Sequence, residues 1–318
     1  MLSSCSKQED NIVLRVGHTA DVKHSIHLSL IYMAERLKHY SGGSMELKLY
    51  SNGQLGSERE MIELTQIGSL AMTKVSAAAL EGFVPQMKVF SLPYIFRTRE
   101  HRWRVLQGEV GLDILKATEK AHLFGMGYFD AGSRSFYSSD SMIESPKDVV
   151  GKKIRVMSSQ TAVKMIAVFG GAATPISWGE LYAALQQGVV DGAENNPPSY
   201  FLSRHYEISK FYSLNEHTSV PDVIIGSQHI MNKLSLQQRE WLSFAMKDAT
   251  ERQKELWLAA ENTALAEVKK AGVVVIYPDK QPFFDAVEPF HASYKNTMVG
   301  EYLERIKQVG NVGGIYHE

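Results

Sequence analysis

Ile12, Leu14 and Val16 alternate with Val13 and Arg15, a period of two that predicts a strand, and Gly17 breaks the run. A loop holding His18 to Asp21 follows. His27, Leu30, Ile31, Ala34 and Leu37 then recur at helical spacing, and Ser41-Gly42-Gly43 supplies the glycine stop expected at a helix end. Met45, Leu47 and Leu49 alternate with Glu46 and Lys48 as a second strand, closed by the turn pair Asn52-Gly53. Ser57 with Glu60 three residues later is a capping-box pattern, predicting a helix whose apolar stripe is Met61, Leu64 and Ile67. The first unit reads β-α-β-α.

The same grammar returns in the middle of the chain. Lys152 to Val156 reads as a strand, Thr161 to Phe169 as a helix, and Gly170-Gly171 as its end. Ser177 to Glu180 forms another capping-box pattern before a helix over Leu181, Ala184 and Leu185, and Val189-Val190 reads as a short buried strand. Gln237 to Lys270 contains neither proline nor glycine and carries apolar residues at Trp241, Phe244, Ala245, Ala249, Leu256, Ala260 and Leu265, which predicts one long helix. A strand at Val273 to Ile276 and a helical region from Phe283 finish the chain. Alternating elements of this kind imply an α/β fold with open, mostly parallel sheets that bind ligands beyond the carboxyl ends of their strands.

Composition adds a second lobe. At 318 residues the chain exceeds one ordinary core, and a cleft between two lobes becomes the default site. Thirty-four basic residues nearly cancel thirty-five acidic ones, so no overall field favours nucleic acid, and any anion site must be local. No apolar run approaches the roughly 20 residues needed to span a bilayer. The single cysteine, Cys5, excludes an internal disulfide. Leu2-Ser3-Ser4-Cys5 resembles a bacterial lipobox, which implies a lipid anchor at Cys5, with the polar stretch Ser6 to Asn11 as a tether.

The chain offers no phosphate loop, no nucleophile elbow and no metal-binding HExxH helix. Gly125-Met126-Gly127 fails the dinucleotide fingerprint because Asp130 stands at the third glycine position. His24 and His27 lie three apart on a helix, but no cysteine or acid at motif spacing joins them as metal ligands. Asp191 and Glu194 read as a strand end entering a loop. The expectation is a protein with no catalytic residues, cofactor or metal.

Five segments in order resemble the extracytoplasmic solute receptors of TRAP transporters, the DctP-type binding proteins. They are Asn52 to Gly56, Ser91-Leu92-Pro93-Tyr94, Gly151 to Val156, Trp178 to Gln186, and Val190 to Asn195, and the resemblance spans Ile12 to about Tyr302. It implies a periplasmic, two-lobed, periplasmic-binding-protein-like fold of type II. Mixed, mostly parallel sheets, crossing hinge strands and a long bracing helix belong to it. The implied division is a tail over 1–11, lobe 1 over 12–133, lobe 2 over 134–222, and a return to lobe 1 over 223–318. The implied partners are an organic acid and the small and large membrane subunits of a TRAP transporter.

Family members bind organic acids through an arginine at a strand edge, and Arg155 in Lys-Ile-Arg-Val matches it. A guanidinium presents two parallel donors that fit a carboxylate and stays charged when desolvated. From the residues alone a strand-end arginine paired with a surface acid is equally open, and the resemblance implies ligand contact. It likewise implies a second cleft arginine at Arg134, a cleft amide at Asn195 and an aromatic wall at Trp178; a turn and capped-helix packing are the plain alternatives for the last two. Asn196 to Tyr200, His205 to Glu207, Glu216-His217 and Pro221-Asp222 resemble the branch that binds hexuronates such as glucuronate and galacturonate. His18, Thr19, His24, Arg59, Ser76, Asn196 and His217 fall near matching cleft positions. Thr19 and Ser76 stand where sialic acid binders tend to carry asparagine and glutamate, which argues against sialic acid. A receptor for a C4-dicarboxylate or keto acid, or a sensory receptor, is the alternative.

Overall fold

The computed structural model describes residues 11–310, so Cys5 and the lipobox-like segment lie outside the described residues. Among the described residues, eleven strands form two sheets. The first contains β1 (Ile12–Gly17), β2 (Met45–Tyr50), β3 (Met72–Ser76), β4 (Leu123–Phe129) and β10 (Asp222–Ser227) in the order β2-β1-β3-β10-β4. The second contains β5 (Arg134–Ser138), β6 (Lys153–Val156), β7 (Ala172–Pro175), β8 (Gly192–Asn195), β9 (Phe211–Thr218) and β11 (Val274–Ile276) in the order β11-β9-β5-β8-β6-β7. One strand runs against the rest in each: β10 is antiparallel to β3 and β4, and β5 to β8 and β9. The sheets are mixed and mostly parallel.

The chain crosses between sheets at residues 130–133, from β4 to β5, and at 219–221, from β9 to β10. In each sheet the strands flanking the crossings are neighbours, so two short segments lie side by side as a natural pivot. Helices α1 (Ser25–Tyr40), α2 (Glu58–Gln66), α3 (Ala77–Leu80), α4 (Arg99–Gln107) and α5 (Glu109–Lys116) belong to the first lobe. Helices α6 (Gln160–Val168), α7 (Leu181–Gln186) and α8 (Pro197–Leu202) follow strands of the second. After α9 (Gln228–Met231), the 35-residue α10 (Leu236–Lys270) braces both lobes: Ala245, Met246 and Ala249 pack with α1, and Val268 joins the core of the second sheet. Its Ser235 and Gln238 form a complete capping box. Helices α11 (Gln281–Ala292) and α12 (Met298–Gln308) close the fold.

The sequence-derived boundaries need correction in several places. Residues 223–318 do not all return to the first lobe, because β11 pairs with β9. The strand expected at Val189-Val190 begins only at Gly192, and Val189 is exposed. Ser177 and Glu180 bond through their side chains, but Ser177 caps no backbone amide, and the first turn is a 3-10 turn. Ser57 and Glu60 do form the reciprocal box. Ile31, Ile67 and Phe244, expected on buried stripes, face outward; Met33, Ile62 and Met246 take the buried positions.

Candidate functional site

A cavity of about 650 Å³ lies between the lobes, at the carboxyl ends of β3, β6 and β8, where mixed sheets of this kind place ligands. Ala131, Arg134 and Val220, at or beside the crossings, line its hinge side.

Arg155 enters from the second lobe. Strand β6 is paired on both sides, with β7 and β8, which fixes its backbone and aims the side chain inward. The residue is 2% exposed. Its Nε donates to the Ile176 carbonyl at 2.8 Å, and Nη1 is buried with no partner. The Trp178 ring stands 5.9 Å from the guanidinium carbon. Burial lowers the Arg155 pKa below its ordinary value, and the charges of Glu194 and Glu58, neither bonded to it, do not make up for the lost solvation.

The other cations of the cavity are already neutralised. Arg134, on β5, forks onto Glu194: Nη2 donates to Glu194 Oε1 at 2.9 Å and to the Glu194 carbonyl at 2.7 Å. Burial alone would raise the Glu194 carboxyl, but the charge and hydrogen bonds of Arg134 together with His217 outweigh it and hold the group at about 2. Lys74, on β3, sits 3.1 Å from Asp222 and 3.4 Å from Glu58. Arg59 lines the mouth, largely solvated, and pairs with Glu63 at 3.0 Å. Arg155 alone among the described lining cations has no carboxylate.

Asn195 lines the cavity; its Oδ1 accepts from Arg134 Nη1 and from the Asn196 amide, both at 2.8 Å, leaving the Nδ2 donors for a ligand. Thr19 and Trp178 line it as well. His24, Ser76 and Asn196 reach the wall while serving helix ends: each accepts a first-turn amide, from Ile26, Ala78 and Ser199 respectively. Burial and then the Lys74 charge push His24 down to about 3, so its ring is neutral. Two expected residues stand elsewhere. His18 is fully buried beneath the wall, with Nε2 2.9 Å from His27 Nδ1. His217 is sealed against Phe136, rings 4.3 Å apart, with Nδ1 3.0 Å from Asn215 Oδ1. Neither lines the cavity.

Sequence reasoning missed Lys74, Glu58, Asp222 and Phe83, all on the first-lobe wall or rim. The lysine within Met72-Thr73-Lys74-Val75 was the available signal, since a lysine in a buried strand demands paired acids. Among the described residues no group of histidine, cysteine and acid is placed to hold a metal ion, and no helix is long and apolar enough to cross a membrane.

The sequence matches the bacterial extracellular solute-binding protein family 7, DctP, over residues 16–297. A relative, the uncharacterized protein YiiZ of Salmonella typhimurium, is 37% identical over 289 residues, 89% of this chain and 87% of that one. Two solved structures are similar throughout. A TRAP periplasmic solute-binding protein from Bradyrhizobium sp. BTAi1 in complex with D-galacturonate has 36% identity and a TM-score of 0.90, over 93% of this chain and 99% of that one. Another from Anaerococcus prevotii, with bound D-glucuronate, has 35% identity and a TM-score of 0.91, over 93% and 97%. The chain belongs to the DctP family of bacterial extracellular solute-binding proteins.

Proposed function

We propose that this chain is the periplasmic component of a TRAP transporter that captures a hexuronate between its lobes and delivers it to the membrane permease. The observation that carries the reading is the buried Arg155 guanidinium, with a bare Nη1 and no carboxylate partner, facing a cavity between two lobes. A buried charge without a partner costs stability, and a ligand carboxylate supplies the partner. The carboxylate docks on Arg155, and Trp178 covers it. Arg134 acts by holding Asn195 in place, since its own charge is spent on Glu194. Thr19, Ser76 and the first-lobe acids meet the hydroxyls. The family is one of receptors rather than enzymes, and no bond changes.

The lobes, taken as 12–129 with most of 222–310 and as 134–218 with β11, close about 130–133 and 219–221. A ligand touching both shifts the population toward the closed form that the permease reads. Cys5 would carry the lipid anchor. The volume falls within the roughly 300–1,000 Å³ typical of small-molecule sites.

A thermal-shift panel of galacturonate, glucuronate, succinate and pyruvate tests the reading. At a hundred times Kd a ligand adds about 2.7 kcal/mol. Uronates should raise Tm by roughly 4 °C in a chain of this length. A shift with succinate or pyruvate and none with uronates would replace it with the dicarboxylate or keto-acid alternative.

A further inference from the structure

The charges of the cavity are segregated. On the second-lobe wall Arg155 carries one positive charge that no carboxylate meets. On the first-lobe wall the Lys74 ammonium is held between Asp222 and Glu58, with side-chain exposures of 8%, 12% and 18% respectively. Two carboxylates against one ammonium leave that cluster with one net negative charge. Lys74 bonds to Oδ1 of Asp222 and Oε1 of Glu58, and Glu58 Oε1 also accepts the Ser76 amide at 3.1 Å. Among the described residues, none donates to Asp222 Oδ2 or Glu58 Oε2.

Burial pushes the Asp222 carboxyl up to about 6, with Lys74 of β3, Glu58 of α2 and Arg134 of β5 as the charges that act on it. At pH 8 it is ionised. Burial works against the Lys74 ammonium, but Asp222 and Glu58 outweigh it, so Lys74 stays charged.

We infer that the Glu58–Lys74–Asp222 cluster is a specificity device that admits sugar acids with one carboxylate and rejects those with two. The inference rests on the reading that Arg155 holds the acid group. With that group anchored on the second lobe, the remainder of the ligand faces a wall with spare acceptors and net negative charge. A hydroxyl suits it, because its O–H can donate to Asp222 Oδ2 or Glu58 Oε2. A second carboxylate has no proton to give and places like charge beside the cluster in a water-poor cavity. Rejection by an arranged repulsion of this kind separates two ligands that share their attractive contacts.

Calorimetry at pH 8 with galacturonate and galactarate, the six-carbon diacid of the same sugar, tests the device in the wild type and in the double variant Glu58→Gln, Asp222→Asn. The wild type should bind galacturonate at least a hundredfold more tightly than galactarate. The double variant changes the cluster from one net negative charge to one positive, and should narrow that ratio at least tenfold. A wild-type ratio below ten overturns the inference while leaving the uronate reading intact, as does a ratio the substitutions leave unmoved, including galactarate undetected by both proteins. No galacturonate binding by the wild type overturns the reading and the inference built on it. Should the double variant not fold, Asp222→Asn alone, which neutralises the cluster, should narrow the ratio at least threefold, and the wild-type ratio decides by itself if below ten.

Discussion

Replacing Arg155 by methionine should push stability and binding in opposite directions. Methionine keeps the apolar stem among its neighbours and removes the charge. The unliganded protein loses one charge-assisted bond, to the Ile176 carbonyl, worth about 1.5–3 kcal/mol. It also sheds a buried, unpaired guanidinium, whose desolvation costs several kcal/mol. The second effect equals or exceeds the first by up to about 3 kcal/mol. With an unfolding entropy of roughly 2.1 cal/mol/K per residue, each kcal/mol moves Tm by about 1.5 °C in a chain this long, so Tm should hold or rise by up to about 4 °C. The uronate complex loses the partner of its buried carboxylate, at a cost of about 2–5 kcal/mol, or roughly 30- to 5,000-fold in Kd. Scanning calorimetry of the unliganded variant and titration with galacturonate read the two quantities separately. A variant several degrees less stable that binds within threefold of wild type would refute the reasoning, because Arg155 would then be a structural residue.

Three further outcomes follow from the geometry. Gly132 sits in a crossing segment at φ +58°, and a Cβ there would lie 2.9 Å from the Trp257 indole, so Gly132→Ala should cost about 1–3 kcal/mol in a denaturant melt. Glu194 has a native pKa of about 2 against an ordinary 4.5, so the stability it contributes is complete above 4.5 and lost as pH falls toward 2; Glu194→Gln should flatten the stability profile in that window, and an unchanged slope would contradict the pairing. Glu81, on the first lobe, accepts the Thr161 amide at the start of α6 at 3.1 Å, so Glu81→Ala should loosen the closed form and speed uronate release about 5- to 30-fold in stopped flow, where an unchanged rate would remove this contact from closure.

Local pattern exposed much of the frame. Alternation gave β1 and β2, the Ser57 box placed α2, and the proline-free, glycine-free stretch gave α10, because each is governed by neighbours within a few residues. The central strands were harder to see. Arg134–Ser138 and Asp222–Ser227 are buried along their whole length, yet their polar side chains hide the apolar run expected of such strands. Lys74 was half legible: a lysine in an apolar strand signals a paired acid, but its partner Asp222 is 148 residues away, and one sequence does not say which acid that is. Arg155 was legible as a candidate, but its solitude was not, since an absent partner is a property of the fold. His18 and His217 show the converse, with sequence placing them near the cleft and packing turning both rings into the interior.

The central claim is that Arg155 grips an acid group in the cavity, and parallel titrations of galacturonate and galactose, alike except at the carboxylate, test it most directly. The account predicts that galacturonate binds and that galactose binds at least a thousandfold more weakly or not at all. Galactose affinity within tenfold of galacturonate would contradict it.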